Sequence, residues 1–189
     1  MEKIDTLVVD KTGTLTEAKM QLIDVEAPIA DDHKNISNYK NEILRFAILG
    51  TDAHVENPND SIDKWRIIGD SLDIALVKGA ARNFGIREPE ARAGTEIINE
   101  LPFNSQNKFA AVRLQDGSKV ITVVIGAPEV VLKMCHTSYW NNRGAITAEE
   151  RTEMLQGVHK KAFDGYRVVS VALSESLPDD ADLKDIKKI

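Results

Sequence analysis

The sequence predicts an α+β domain in which an antiparallel, twisted sheet is flanked by helices. Two apolar stretches, residues 109–114 and 119–125, enclose a Gln-Asp-Gly-Ser turn, which is typical of a β-hairpin. Apolar residues recur at helical spacing in residues 39–50 and again further along the chain. The chain has 189 residues, of which 42% are hydrophobic and 29% charged, so we expect one globular domain, or one domain with a fragment of another.

Composition narrows the class of protein. The net charge is −6 and the pI about 5.3, so a basic face for nucleic acid is not expected. Cys135 is the single cysteine, which excludes a disulfide within the chain and favours a buried structural thiol over a reactive one. No run of about 18 apolar residues and no signal peptide is present, so we expect a soluble monomer.

In the first part of the chain, residues 4–9 predict a short buried strand, and residues 20–25 a second strand. Residues 31–38 are polar and predict a loop. The first helix is predicted for residues 39–50, with Gly50 at its end. A second helix follows, with a predicted apolar face of Leu72, Ala75, Leu76, Gly79 and Ala80, capped by Asp70 or Ser71.

The second half predicts most of the sheet. Residues 96–101 and 167–173 are strands on either side of the hairpin in chain order. Pro128 opens a helix. Its predicted buried side consists of Val130, Val131, Met134 and Cys135. Thr147 and Glu150 have the spacing of a capping box, which opens a helix that runs to residue 161, with Met154, Leu155 and Val158 facing inward.

The seven residues Asp10-Lys11-Thr12-Gly13-Thr14-Leu15-Thr16 follow the first strand and predict phosphoryl chemistry. Open α/β sheets bind ligands at the carboxyl ends of their strands, which is where this aspartate lies. A carboxylate there can attack a phosphoryl group, while a lysine and Mg²⁺ offset the charge of the transferring group. The alternative, an ordinary solvated turn, is disfavoured because every position of the heptad fits this mechanism.

The heptad resembles the phosphorylation motif of P-type cation-transporting ATPases. The resemblance implies that residues 1–18 begin a dehalogenase-like phosphorylation domain, and that residues 19–189 form the nucleotide-binding domain inserted into it. Asp10 would be the phosphorylated nucleophile, supported by Lys11 and Thr12, and Asp10 with the backbone carbonyl of Thr12 would form part of a Mg²⁺ site. Related phosphatases usually carry a second Asp where this chain has Thr12, which favours a pump.

Two later stretches resemble the nucleotide-binding motifs of the same family. In the stretch that includes Pro102 and Phe103, the resemblance implies that Phe103 stacks on adenine and that Lys108 lies near the nucleotide. The alternative for Phe103 is a plain core residue. Gly126 and Ala127 match the family's Lys-Gly-Ala-Pro-Glu motif and permit close backbone approach to a ligand.

This chain lacks two cations that the family usually carries in those stretches. Ile125 stands in place of the motif lysine, and Ser105 stands where many relatives have arginine. Each loss weakens phosphate attraction by about 1 kcal/mol in a partly exposed site.

Two further residues complete the expected nucleotide site. Asp73 matches an acidic residue that accepts a hydrogen bond from the adenine amino group; alternatively it only complements the helix N-terminus. Arg167 matches an arginine that contacts phosphate; alternatively it forms a surface salt bridge.

The resemblance thus implies an ATP-binding piece of a type II-like P-type ATPase, which couples ATP hydrolysis through an aspartyl-phosphate on Asp10 to cation transport. The expected cofactors are ATP and Mg²⁺, and the expected partners are the transmembrane and actuator domains of the same pump, at the cytoplasmic face of a membrane. We expect the isolated piece to have negligible ATPase activity. Two alternatives remain: a dehalogenase-type phosphatase, and a regulatory or interaction domain that has lost nucleotide binding.

Overall fold

The computed structural model describes residues 19–26, 36–138, 144–175, 183 and 186. The helices are α1 Ile36–Leu49, α2 Ser71–Phe84, α3 Glu88–Arg92, α4 Pro128–Met134 and α5 Ala148–Phe163, with a 3₁₀ turn at Ile62–Lys64. The strands are β1 His54–Val55, β2 Ile67–Ile68, β3 Thr95–Leu101, β4 Phe109–Asp116, β5 Lys119–Gly126, β6 Thr137–Ser138, β7 Gly144–Ala145 and β8 Ser170–Ser174. Among these residues, no helix has the length and apolar character needed to cross a membrane.

The main sheet has four antiparallel strands in the order β3-β4-β5-β8, which confirms the predicted α+β class. The predicted dehalogenase-like strand lies outside the described residues. The β4–β5 hairpin forms as expected: Asp116 pairs with Lys119, and Gly117 takes a φ of 61° in the two-residue turn. Arg45 of α1 donates two hydrogen bonds, of 2.7 and 2.9 Å, to the Asp116 carboxylate and so fastens the turn to that helix.

The two faces of the sheet are covered by different elements. On one face, side chains of α1 and α2 form an apolar core with alternate residues of β5, including Val123 and Ile125. On the opposite face, Val124 packs with Val131 of α4. Leu183 lies on this second face and is 2% exposed, so the end of the chain contributes to the core. The central strands β4 and β5 are therefore buried on both sides, whereas β3 is largely exposed.

Local signals in the sequence set the ends of the long helices. The Asp70 carboxylate accepts hydrogen bonds from the backbone N–H groups of Leu72 and Asp73, at 2.8 and 3.0 Å, so Asp70 rather than Ser71 caps α2. The predicted capping box forms at α5, where Thr147 and Glu150 exchange hydrogen bonds of 2.8 and 3.1 Å. Helix α5 has no fully buried residue, and its predicted inward side chains are only partly covered.

Residues 19–26, which we call the N-terminal strap, correct one prediction: residues 20–25 are not a strand. Their side chains pack on helices instead of pairing with a neighbouring strand. Leu22 lies against Gly79 of α2, where an added Cβ would collide with it, and Val25 is 7% exposed. Two ion pairs also hold the strap: Asp24 pairs with Lys40 of α1 at 3.0 Å, and Glu26 pairs with Lys161 of α5 at 2.6 Å.

Two element boundaries also differ from the predictions. Helix α1 begins at Ile36, inside the predicted loop 31–38. Strand β8 begins at Ser170 rather than at residue 167, because Ser170 pairs with Gly126, the last residue of β5. Beyond that pair β5 offers no further backbone for a ladder, so residues 167–169 remain outside the sheet.

Candidate functional site

One end of the main sheet brings together most of the predicted site residues. Here β3 and β5 end while β4 and β8 begin, and Gly126 pairs with both Phe109 and Ser170. The connections that carry Phe103, Lys108, Ala127 and Arg167 all start or finish at this end. The order of the strands alone thus brings residues from three separate stretches of the sequence together at this end of the sheet, which we call the edge that carries the site.

Lys108 is joined directly to the Gly-Ala-Pro stretch. Its carbonyl accepts a hydrogen bond of 2.9 Å from Ala127 N–H, and its own N–H donates to the Asn104 carbonyl at 2.8 Å. Its φ of 59° places it in the left-handed region, which is uncommon for a residue with a side chain. The Lys108 side chain is exposed, and its Nζ lies 3.6 Å from Glu129 Oε1.

Gly126 is required by packing inside the sheet. A Cβ at this position would lie 2.5 Å from the Lys108 carbonyl oxygen and 2.7 Å from the Phe109 Cα. We predicted that Gly126 permits close approach to a ligand; the close approach in the structure is to the backbone of β4.

Phe103 is exposed to solvent at this end of the sheet, with 55% of its surface accessible. The core position in this stretch belongs to Phe109, which is 5% exposed, so the alternative of Phe103 as a core residue is wrong. Arg167 is also exposed, and none of the ion pairs between described residues includes it. Both side chains are therefore accessible to a ligand.

Asp73 lies on the helix-covered side of the same end. The C-terminus of α1 packs over the end of β5, because a Cβ at Gly50 would lie 3.2 Å from Ile125 Cγ2. Asp52 follows two residues later, and its backbone N–H donates to the Asp73 carboxylate. Burial, together with the charges of Asp70 and Asp52, raises the pKa of Asp73 to about 6. Since Asp70 already caps α2, the Asp73 carboxyl is not needed as the cap.

Ile125 occupies the position of the missing lysine and is 7% exposed, inside the core formed with α1 and α2. An isoleucine here contributes apolar burial and no charge. Ser105 is exposed and likewise adds no cation. Of the residues predicted for this site, only Lys108 and Arg167 carry positive charge.

Asp10, Lys11 and Thr12 lie outside the described residues, so the proposed phosphorylation site stays a prediction. Within the described part of the chain, no group of three or more His, Cys, Asp or Glu side chains could hold a metal ion.

Sequence reasoning missed two contacts at this site. The Lys108–Glu129 ion pair joins the β3–β4 loop to the first turn of α4, and its only sequence signal is that Glu129 belongs to the Gly-Ala-Pro-Glu stretch. The hydrogen bond from Asp52 to Asp73 joins the end of α1 to the start of α2, and no motif indicates it.

The structure defines the class of protein as an α+β domain whose four-stranded antiparallel sheet is flanked by helices, with the predicted site residues at one end of that sheet. The family described as "P-type ATPase, cytoplasmic domain N" matches residues 40–188, and the chain belongs to that family.

Several curated relatives are cation pumps by name. Calcium-transporting ATPase 1 of Schizosaccharomyces pombe is 27% identical over 190 residues, covering 89% of this chain and 20% of the relative. The sodium/potassium-transporting ATPase subunit alpha of Hydra vulgaris is 30% identical over 171 residues, covering 82% of this chain and 16% of the relative. Probable cation-transporting ATPase F of Mycobacterium bovis is 24% identical over 196 residues, covering 92% and 21%. The chain thus spans about a fifth or less of the length of these relatives.

Proposed function

We propose that this chain is the ATP-binding cytoplasmic part of a P-type ATPase that couples ATP hydrolysis to cation transport across a membrane. The observation that carries the proposal is that one end of the sheet presents an exposed aromatic ring, Phe103, together with Lys108, whose carbonyl accepts a hydrogen bond from Ala127. An exposed aromatic ring offers a stacking surface for a base, and a nearby lysine offers a partner for phosphate.

Each site residue has a role that follows from its chemistry. Phe103 stacks on the adenine, and the Asp73 carboxylate accepts a hydrogen bond from the exocyclic amino group. Lys108 and Arg167 attract the phosphates, while the backbone of Gly126 and Ala127 borders the ligand. With Ile125 buried, two cations serve where relatives have more, so we expect ATP affinity to be modest.

In the whole pump, Asp10 receives the γ-phosphoryl group. A carboxylate oxygen of Asp10 forms the new bond to phosphorus while the bond from phosphorus to the bridging oxygen breaks, and ADP leaves with that electron pair. Asp10 and the backbone carbonyl of Thr12 would hold Mg²⁺, which would reduce the charge on the transferring group, and Lys11 adds to this effect. The absence of a second Asp at Thr12 removes an adjacent base, which favours a phosphoenzyme that persists during transport.

A regulatory or interaction domain without nucleotide binding is the second candidate. Two observations favour it: Ile125 is a core residue, and Lys108 is already paired with Glu129. A dehalogenase-type phosphatase would be recognised by hydrolysis of a generic phosphomonoester that is lost in Asp10→Asn.

The proposal is tested by titrating the isotope-labelled 189-residue chain with ATP and AMP while following backbone amide chemical shifts. We expect saturable shifts that cluster at residues 73, 103, 108, 126 and 167. If no amide responds to millimolar ATP, nucleotide binding is refuted and the interaction-domain alternative takes its place.

A further inference from the structure

We infer that Glu129 limits the affinity of this site for nucleotide phosphates, because it holds Lys108 while the site is empty. The inference rests on the proposed function and adds a residue that sets how strongly the site discriminates between ligands of different charge. Lys108 Nζ lies 3.6 Å from Glu129 Oε1, and the two side chains are 54% and 49% exposed. The pair is therefore open to solvent and to an incoming anion.

The backbone builds this pair into the fold. Ala127 N–H donates to the Lys108 carbonyl at 2.9 Å, and Ala127 is the N-cap of α4, in whose first turn Glu129 lies. Gly126 allows the two backbone segments to approach this closely, since a Cβ at position 126 would lie 2.5 Å from the Lys108 carbonyl oxygen. The stems of the two side chains thus start from segments that are hydrogen-bonded to each other, and no flexible loop has to close for the pair to form.

A phosphate that binds Lys108 must displace this carboxylate or share the lysine with it. In both cases Glu129 cancels part of the attraction between Lys108 and the ligand, and the attraction lost grows with the number of phosphate charges. Ile125, buried beside this end of the sheet, adds no cation that could offset this loss, which leaves Arg167 as the other cation predicted for the site. Glu129 therefore acts against ATP more than against AMP, and it has no such effect on adenosine.

The test compares wild type with Glu129→Gln by titrating the 189-residue chain with ATP, AMP and adenosine. Glutamine keeps the length and polarity of the side chain and removes its charge. We expect ATP to bind about two- to fivefold more tightly, which corresponds to the strength of one exposed ion pair, with a smaller gain for AMP and none for adenosine. A merely structural role in α4 would change the affinity for all three ligands alike.

A double-mutant cycle with Lys108→Met shows whether Glu129 acts through the lysine. In that background, Glu129→Gln is expected to leave ATP affinity unchanged. If the gain persists there, Glu129 repels the ligand directly and the inference is wrong.

Glu175→Gln is the matched control. Glu175 forms an equally exposed pair with Lys119, at 3.2 Å, at the other end of β5. Gly126 lies seven positions after Lys119 along the strand, a distance of roughly 24 Å. We expect no change in ATP affinity, since the same charge is lost far from the site.

The outcomes separate the inference from the proposed function. If ATP binds wild type and Glu129→Gln equally well, Glu129 has no such role while the nucleotide site stands. If ATP binds neither protein at millimolar concentration, the nucleotide site itself is refuted, and the role of Glu129 is refuted with it. A gain from Glu175→Gln as large as that from Glu129→Gln would show an effect of net charge alone and would also overturn the inference.

Discussion

Replacing Gly126 with alanine tests how the edge of the sheet is built. The added Cβ would lie 2.5 Å from the Lys108 carbonyl oxygen and 2.7 Å from both the Cα and the Cβ of Phe109, whereas ordinary contacts begin at 3.4 Å. The obstructing atoms are mostly backbone, so relief requires β4 and β5 to separate locally by almost an ångström. Such a shift would also stretch the 2.9 Å hydrogen bond from Ala127 to Lys108.

The expected loss of stability follows from these contacts. Overpacking of this kind costs about 1 to 3 kcal/mol, and a weakened hydrogen bond costs about 1 kcal/mol more. The alanine also restricts the unfolded chain, which returns about 0.4 to 1 kcal/mol. We therefore expect Gly126→Ala to lower the free energy of unfolding by about 1 to 3.5 kcal/mol, measured by urea denaturation at pH 7.

Gly157→Ala is the matched control, because Gly157 lies inside α5 with no heavy atom within 4 Å of an added Cβ. Helix propensity predicts that this change raises the free energy of unfolding by about 0.5 to 1 kcal/mol. A Gly126→Ala protein as stable as wild type would refute the reasoning, since the two strands would then be free to move apart at no cost.

Three further changes test the electrostatics and capping of the fold by the same denaturation assay. Asp73→Asn is expected to raise stability at pH 7, because the folded-state pKa of Asp73 is raised to about 6 and the wild-type side chain loses its stabilising proton as the pH rises through that value. The advantage of the variant should disappear towards pH 4, where Asp73 of the folded wild type is protonated. A difference in stability that does not change with pH would contradict this. Asp116→Asn is expected to lower stability by about 1 kcal/mol at pH 7, since the hydrogen bonds from Arg45 lower the pKa of Asp116. That difference should shrink as the pH falls below about 4, where Asp116 of the unfolded chain becomes protonated, and vanish below the lowered folded-state pKa. A deficit that does not shrink on acidification would point to packing instead. Asp70→Ala removes the cap of α2 and should cost about 1 kcal/mol, whereas an unchanged unfolding midpoint would mean that solvent serves the helix end equally well.

The parts of the fold that the sequence predicts well are those with a local cause. The β4–β5 hairpin depends on two apolar stretches close together in the chain and on Gly117, which takes the positive φ of the turn between them. The α5 start depends on Thr147 and Glu150, three residues apart. In each case the residues that determine the structure are neighbours in the chain, so no knowledge of the remaining fold is needed.

Where the prediction fails, the deciding contact is distant in sequence. The sequence of the N-terminal strap predicts a strand, but the strap pairs with no strand of the described residues. Its side chains contact helices α1, α2 and α5 instead. Strand β8 starts late because its partner ends at Gly126.

The same limit applies to the candidate site. Motifs name Lys108 and Asp73, but the partners Glu129 and Asp52 become visible only when the strands and helices are assembled. The sequence therefore predicts which side chains belong to the site better than it predicts the residues with which those side chains interact.

The contacts of the N-terminal strap also determine which parts of the domain resist a mechanical pull on the chain at residue 19. Strands that pair by a backbone ladder can be peeled off one hydrogen bond at a time, but the strap is attached by separate side chains on α1, α2 and α5. A pull on Lys19 is shared between the apolar anchors Leu22 and Val25 and the ion pairs of Asp24 and Glu26. A displacement of the chain before residue 19 would therefore act on α1, α2 and α5 together, and raising the ionic strength would weaken the ionic attachments more than the apolar ones.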